Sequence, residues 1–158
     1  MALSPTTVSP PEIFKSRLKM RFRNADPAGI MFFGNILGIS HDVFEDFIQS
    51  LELDWNEWFK SEQYGCPIRH TEVDYLAPLF PGQEYTVEVK VSKISGSSFN
   101  THYEFKNQNN KLCARVQMVH VFIDPKTMKK IPFPEKFRLK LEKYCLPDAN
   151  EFNFKTAP

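Results

Sequence analysis

Residues 23–35 read RNADPAGIMFFGN, and the residue pattern of the chain changes on either side of them. Before this segment, Leu18, Met20 and Phe22 alternate with basic residues. A period of two predicts a half-buried strand. We expect this strand to stop at the turn formed by residues 26–29, where a proline and a glycine interrupt the alternation.

After the segment, apolar residues follow one another at helical spacing and predict a long helix from Gly34 to Leu51. Asn35 is the expected N-cap of this helix. The apolar residues fill roughly half of the circumference, which is wider than a helix resting on a flat surface needs. The spacing therefore predicts a helix that is wrapped by a curved sheet.

The rest of the chain predicts one short helix, four strands and a final helix. Asp54 and Glu57 have the spacing of a capping box and predict the short helix. The predicted strands cover Ile68–Leu76, residues 84–91, residues 99–106 and Leu112–Ile123, and a basic helix follows from Pro134 to about Tyr144. The expected fold class is α+β, with a five-stranded antiparallel sheet around one central helix. We expect a tail at residues 1–12, one domain at residues 13–145 and a second tail at residues 146–158.

Composition narrows the class of protein. The chain has 158 residues, with 20 basic and 19 acidic side chains and a net charge of +1, so it lacks the basic excess typical of nucleic-acid binders. No run of about 18 apolar residues predicts a membrane span. The N-terminus has no signal-like apolar region, and three widely spaced cysteines do not suggest a disulfide framework. These features predict a soluble, cytoplasmic protein.

The junction between the first strand and the helix carries the chemistry. Asp26 precedes Pro27, which favours an extended backbone, and Gly29 permits a tight bend. The start of a helix supplies unpaired N–H groups and the positive end of a dipole. A carboxylate beside such donors could hydrolyse a thioester, with Phe32 and Phe33 excluding water. Spacing alone is also typical of a plain turn, so both interpretations stay open here.

The segment from Arg23 to Asn35 resembles the signature of the 4-hydroxybenzoyl-CoA thioesterase family, which belongs to the hot-dog superfamily. In that family an Asp-Pro-Ala-Gly-Ile sequence precedes two bulky residues and an Asn near the start of the central helix. The sequence from Gly65 to Ile68 also resembles the family's entry into its second strand. The resemblance covers roughly residues 18–144 and implies a hot-dog fold and an acyl-CoA thioesterase.

The resemblance also implies roles for single residues. By position, Asp26 matches the catalytic carboxylate, and the backbone N–H groups of Phe33 and Gly34 match the oxyanion donors. The residues that would contact the substrate are Pro27, Gly29, Phe32, Asn35, Lys93, Ser97 and Ser98. Family members form dimers that often pair into tetramers, with each site at a subunit interface, so a homo-oligomer is implied. No cofactor is implied apart from coenzyme A as part of the substrate.

One departure from the family concerns the carrier. The family has a basic cluster at the turn between its third and fourth strands, but here residues 94–98 read ISGSS, with only Lys93 nearby. Coenzyme A would then be held by other basic residues, such as Lys90, Lys93, Lys126, Lys129 and Lys130. Alternatively, the acyl carrier is an acyl carrier protein.

Several alternatives remain at this level. Asp42 on the central helix is a backup carboxylate, with Glu45 behind it, because some hot-dog enzymes place their carboxylate there. Histidine and cysteine spacing predicts no metal site. Four aromatic residues could line an acyl pocket, namely Trp55, Trp58, Phe59 and Tyr64. A patch of the hydrophobic core is the favoured interpretation of these four. A non-catalytic acyl-thioester-binding or assembly protein is the competing functional class.

Overall fold

The computed structural model describes residues 9–146, in which five antiparallel strands and three α-helices form. The strands are β1 (Phe14–Lys19), β2 (Ile68–Tyr75), β3 (Glu84–Ser92), β4 (Ser98–Lys106) and β5 (Leu112–Val121). The helices are α1 (Asn35–Ser50), α2 (Trp55–Phe59) and α3 (Glu135–Glu142), with a short 3₁₀ helix at Phe22–Asn24. The strands lie in the order β1-β3-β4-β5-β2. The α+β prediction is confirmed.

Helix α1 packs its apolar side against the sheet. Phe44, Phe47 and Ile48 are fully buried, and the ring centroids of Phe14 in β1 and Phe47 are 5.5 Å apart. The buried face is narrower than the spacing predicts, because Leu37 is 36% exposed. Burial of large apolar side chains therefore fixes α1 on the sheet while leaving part of its apolar surface uncovered.

The N-cap of α1 is Gly34, so the expected N-cap at Asn35 is wrong. The side chain of Asn35 does not accept a helix N–H. Instead its Nδ2 donates to the carbonyl of Asn24 at 2.9 Å, which ties the start of α1 to the loop before it.

The first strand lies earlier than predicted. β1 pairs with β3 from Phe14 opposite Val89 to Lys19 opposite Glu84. Glu84 is the first residue of β3, so within the described residues the pairing of β1 with β3 ends at Lys19, and the chain then turns into the 3₁₀ helix. Phe22, predicted as an inward strand residue, is 88% exposed there.

The last four strands form at the predicted places, but they do not make the simple meander expected from their order in the chain: β3, β4 and β5 are consecutive neighbours, whereas β2 pairs with β5 and not with β3. β2 ends one residue before the predicted end, and β5 ends at Val121 rather than at Ile123. β5 pairs with β4 on one side and β2 on the other, as expected of an interior strand, whereas β4 occupies the middle of the sheet. Helix α3 is shorter than predicted, with Pro134 as its N-cap.

The aromatic patch belongs to the core. Asp54 caps α2, since its carboxylate accepts the N–H of Glu57 at 2.9 Å. Trp58 and Tyr64 are buried, and the rings of Trp58 and Phe137 meet edge to face with centroids 4.8 Å apart. The core interpretation is confirmed for these side chains.

The predicted tails fall mostly outside the described residues, which exclude 1–8 and 147–158. At the C-terminal end, the N–H of Leu146 donates to the carbonyl of Val91 at 2.9 Å. The folded part of the chain therefore includes at least Leu146, which the predicted boundary assigns to the tail.

Candidate active site

A tight backbone turn presents Asp26. Its N–H donates to the carbonyl of Ile30 at 3.0 Å, and the N–H of Gly29 donates to the carbonyl of Asp26 at 2.9 Å. Gly29 has φ of +78°, a left-handed conformation that favours glycine. Ala25 and Met31 form an antiparallel bridge below the turn. Asp26 therefore sits at the rim of a small, closed hairpin.

The carboxylate of Asp26 is partly committed. Its Oδ1 accepts the N–H of Ala28 at 2.8 Å, which fixes the orientation of the side chain. Among residues 9–146 the carboxylate has no ion-pair partner and no second hydrogen bond, so Oδ2 is available to a ligand. The group is half-buried beside an apolar surface.

Two backbone donors lie at the start of α1. The N–H of Asn35 donates to the carbonyl of Phe32 at 3.0 Å and closes a turn, with Phe33 and Gly34 at its centre. The N–H groups of these two central residues have no acceptor within the described part of the chain. Gly34 has helical φ and ψ of −69° and −20°, so its N–H lies near the positive end of the α1 dipole.

Glycine at position 34 also permits a close contact. A Cβ at this position would lie 2.9 Å from the Phe32 ring, which packs directly over the backbone. The Phe32 and Phe33 rings lie next to each other, with centroids 4.7 Å apart.

One apolar cavity of about 380 Å³ is lined by both Asp26 and Phe33, but not by Phe32 or Gly34. Its lining comprises Asp26, Ile30, Met31, Phe33, Tyr75, Leu76, Ala77, Pro78 and Leu79. The segment after β2 is held against the turn because the N–H of Met31 donates to the carbonyl of Leu79 at 2.8 Å. Residues from two distant parts of the sequence therefore surround the carboxylate.

The mouth of this cavity is apolar and open. Phe33 is 66% exposed, and Tyr75 and Leu76 are each about half exposed. The expectation that Phe32 and Phe33 exclude water is therefore not met within a single chain. A surface of this kind is typical of a site that another molecule or subunit covers.

The remaining predicted contact residues fall into two groups. Pro27, Gly29, Phe32 and Asn35 belong to the Asp26 turn or to the start of α1. The chain that leads from β1 to Asp26 lies at the start of β3, where the Met20 N–H donates to the carbonyl of Gln83 at 2.9 Å. Lys93, Ser97 and Ser98 lie beyond the other end of β3, so they do not join this group. The length of β3 separates the two ends by about 30 Å. Contact of these three with a substrate at the same Asp26 would require a second chain and stays a prediction.

The backup carboxylates lie elsewhere. Asp42 lines a separate groove of about 310 Å³ between β1 and α1, together with Arg17 and Arg21. Glu45 is 3.5 Å from the ring of His41. Neither carboxylate lines the Asp26 cavity.

Sequence reasoning missed Tyr75 and the segment 76–79. Their only signal is a proline at position 78 soon after a predicted strand, which by itself indicates a strand end. Their place in the cavity depends on how β2 returns to the Asp26 turn, and no local pattern records that contact.

Neither metal clusters nor membrane spans occur in the described part of the chain. Between residues 9 and 146 no three potential metal ligands among His, Cys, Asp and Glu come together. None of the helices there is both long and apolar enough to span a bilayer.

Comparison with known proteins gives a consistent result. The model of the thioesterase-like superfamily matches residues 20–141. A 1,4-dihydroxy-2-naphthoyl-CoA hydrolase of Crocosphaera subtropica is 31% identical over 109 residues, which cover 68% of this chain and 80% of that protein. The corresponding hydrolase of Acaryochloris marina is 26% identical over 129 residues, covering 80% and 94%.

Solved structures share the fold. A 1,4-dihydroxy-2-naphthoyl-CoA thioesterase from Synechocystis superposes with a TM-score of 0.77 at 24% identity, covering 82% of this chain and 96% of that one. A Staphylococcus aureus protein solved in complex with CoA gives a TM-score of 0.81 at 18% identity, covering 97% and 99%.

Proposed function

Because the chain belongs to the thioesterase-like superfamily and is a thioester hydrolase, we propose that it cleaves acyl-CoA with Asp26 as its catalytic carboxylate. The N–H groups of Phe33 and Gly34 form the oxyanion hole in this proposal. The observation that supports it is a single apolar cavity lined by both Asp26 and Phe33. Small-molecule sites are typically apolar cavities of about 300–1,000 Å³ with a few polar groups, and this cavity is of that kind.

The two backbone donors suit the chemistry of a thioester. Attack on the carbonyl carbon moves negative charge onto the carbonyl oxygen. Unpaired N–H groups at the start of α1 would receive that charge, and one such donor is typically worth about 3 kcal/mol in the transition state. The dipole of α1 acts in the same direction.

Asp26 can act by two routes. As a nucleophile, a carboxylate oxygen attacks the carbonyl carbon, the C–S bond breaks, and water then hydrolyses the acyl anhydride. As a general base, Asp26 takes a proton from water, the hydroxide attacks, and the proton passes to the departing thiolate. Both routes need one free carboxylate oxygen, which Oδ2 supplies because Ala28 binds only Oδ1.

We assign an aromatic acyl group to the substrate. The relatives from Crocosphaera and Acaryochloris are hydrolases of an aromatic acyl-CoA, 1,4-dihydroxy-2-naphthoyl-CoA. The rings of Phe33 and Tyr75 line the cavity, and aromatic pairs add to the free energy of apolar burial. Coenzyme A enters only as part of the substrate, and we propose no other cofactor.

We also propose a homo-oligomer. Within residues 9–146, β2 pairs with β5 on one side only, and six of its eight residues are exposed. A second copy laid against this free edge would continue the sheet and would cover the open mouth of the cavity beside Tyr75. The cytoplasmic location stays a prediction from cysteine usage.

The functional test is release of free thiol from a panel of acyl-CoAs and acyl carrier proteins. We expect turnover of CoA thioesters, with aromatic acyl groups preferred over aliphatic ones. Binding of every acyl-CoA without release of thiol would contradict the enzyme and support the acyl-binding alternative. Faster release of thiol from acyl carrier proteins than from acyl-CoAs would show that CoA is the wrong carrier, although thioester hydrolysis is the right reaction.

Light scattering of the purified protein tests the oligomer. The expected mass is two or four times that of the chain. A monomer that retains full turnover would contradict the proposed role of the second copy.

A further inference from the structure

Tyr75 joins the end of β2 to the loop that carries the oxyanion donors. Its hydroxyl donates to the carbonyl of Phe33 at 2.5 Å, between residues 42 positions apart in sequence. Tyr75 itself is held by the sheet, where it pairs with Ala114 of β5. The contact therefore ties the loop before α1 to the sheet.

The bonded carbonyl belongs to the same peptide group as the N–H of Gly34. A peptide group is planar, and in its trans form the C=O and N–H point in opposite directions. Whatever fixes the Phe33 carbonyl therefore also fixes the direction of the Gly34 N–H. A hydrogen bond to the carbonyl also polarises the peptide and strengthens the N–H as a donor.

Within the described residues, no other hydrogen bond fixes the orientation of this peptide. The turn at residues 32–35 is closed by the Asn35 N–H on the Phe32 carbonyl, at 3.0 Å, and that bond does not involve the Phe33–Gly34 peptide. Gly34 has no Cβ to restrict its backbone. Within the described residues, the Tyr75 hydroxyl is the hydrogen-bond partner of the Phe33 carbonyl.

We propose that Tyr75 is a positioning residue, which aims and polarises the Gly34 N–H toward the thioester oxygen through its hydrogen bond to the Phe33 carbonyl. The inference rests on the proposed function. Tyr75 does not act on the reacting atoms, because its proton is already committed to a protein carbonyl. Burial raises the pKa of its hydroxyl, so the group remains a donor across the neutral range.

The kinetic test is Tyr75→Phe, which removes the hydroxyl and keeps the ring in the cavity. The matched control is Tyr64→Phe, since the Tyr64 hydroxyl also donates to a backbone carbonyl, that of Glu57 at 3.0 Å, away from the cavity. We expect Tyr75→Phe to lower kcat by about 5- to 10-fold with KM nearly unchanged. Tyr64→Phe should keep the wild-type kcat.

A spectroscopic test separates positioning from a structural role. In the Asp26→Asn background, the infrared stretch of a ¹³C-labelled thioester carbonyl reports the strength of the donors around a bound acyl-CoA. We expect the frequency of this band to shift toward its value in an apolar solvent when Tyr75→Phe is added. It should not shift when Tyr64→Phe is added. Thermal melting of each variant shows that it is folded.

The outcomes distinguish the two proposals. If the wild type turns over no acyl thioester, the proposed function is contradicted. An active wild type whose Tyr75→Phe variant keeps kcat and the carbonyl band overturns the role of Tyr75 alone. Equal losses of kcat in Tyr75→Phe and Tyr64→Phe would also overturn it, because they would show a general structural effect.

Discussion

His120 in β5 is enclosed between α1 and the sheet, and its burial makes folding sensitive to pH. Its ring stacks on Phe44 of α1 and on Phe99 of β4, with centroids 4.5 and 4.7 Å away. Nε2 lies 2.9 Å from the hydroxyl of Thr101, whereas Nδ1 has no hydrogen-bond partner among the described residues. Protonation would place a charge in this apolar sandwich. Burial, reinforced by the nearby His41, therefore lowers the pKa of His120 from 6.5 to about 3.

The sign and size of the effect follow from linkage. The folded state takes up almost no proton at His120 above pH 4, whereas the unfolded state takes one up as the pH falls through 6.5. The stabilisation is therefore complete above pH 6.5 and is lost progressively as the pH falls toward 3. Between pH 7 and pH 5 the free energy of unfolding should fall by about 2 kcal/mol, because it falls by about 1.4 kcal/mol for each pH unit below 6.5.

The assay is urea unfolding of wild type and His120→Gln at pH 7 and pH 5. Both proteins contain His102, whose pKa is lowered to about 4 mainly by burial. His120→Gln therefore still becomes less stable as the pH falls. Between pH 7 and pH 5, the free energy of unfolding should fall by about 2 kcal/mol less in His120→Gln than in the wild type. Thr101→Val is the control, because it removes the hydrogen bond without removing a titrating group and should keep the wild-type pH dependence. Equal losses in His120→Gln and wild type would refute the reasoning.

Two further predictions concern the turn and the cofactor. Gly29→Ala should lower the free energy of unfolding in urea by about 1 kcal/mol through backbone strain alone, since in the described part of the chain no atom beyond the adjacent residues lies within 4 Å of the added Cβ. Gly38→Ala, at an equally open position inside α1, should instead raise it by about 0.5–1 kcal/mol, and the same sign for both would contradict this account. Dialysis against EDTA should leave thiol release unchanged, and activity that returns only with added metal would contradict the absence of a cofactor.

Periodicity was sufficient to predict most of the elements and the fold class, but not the place of β2 beside β5. The alternation in β3 and β4 and the wide apolar face of α1 are local signals, and the structure has these elements within one or two residues of their predicted ends. The first strand was less predictable. Its end depends on where β3 begins, because the pairing partner at Glu84 determines that β1 stops at Lys19. Alternation at Met20 and Phe22 carries no information about that partner.

The candidate site was predictable only in part. The string around Asp26 is contiguous, so a family resemblance could identify it from sequence. Tyr75 could not be found in this way, because its hydrogen bond to Phe33 spans 42 positions and depends on the packing of β2 against the turn. The same reason explains why the sequence could not show that Lys93, Ser97 and Ser98 lie about 30 Å from Asp26 of the same chain, since distance along a strand appears only once the sheet is assembled. Their contact with a substrate stays a prediction.

The most direct measurement is kcat for thiol release by Asp26→Asn, compared with Asp42→Asn, on the best acyl-CoA substrate. Asparagine keeps the shape of the Asp26 side chain and can still accept the N–H of Ala28, so the turn should persist. Asp26→Asn is expected to lose at least about 100-fold in kcat, the lower end of what a catalytic acid or base contributes. Asp42→Asn, in its separate groove, should remain close to wild type. Full activity in Asp26→Asn together with its loss in Asp42→Asn would contradict the central claim that Asp26 is the catalytic carboxylate.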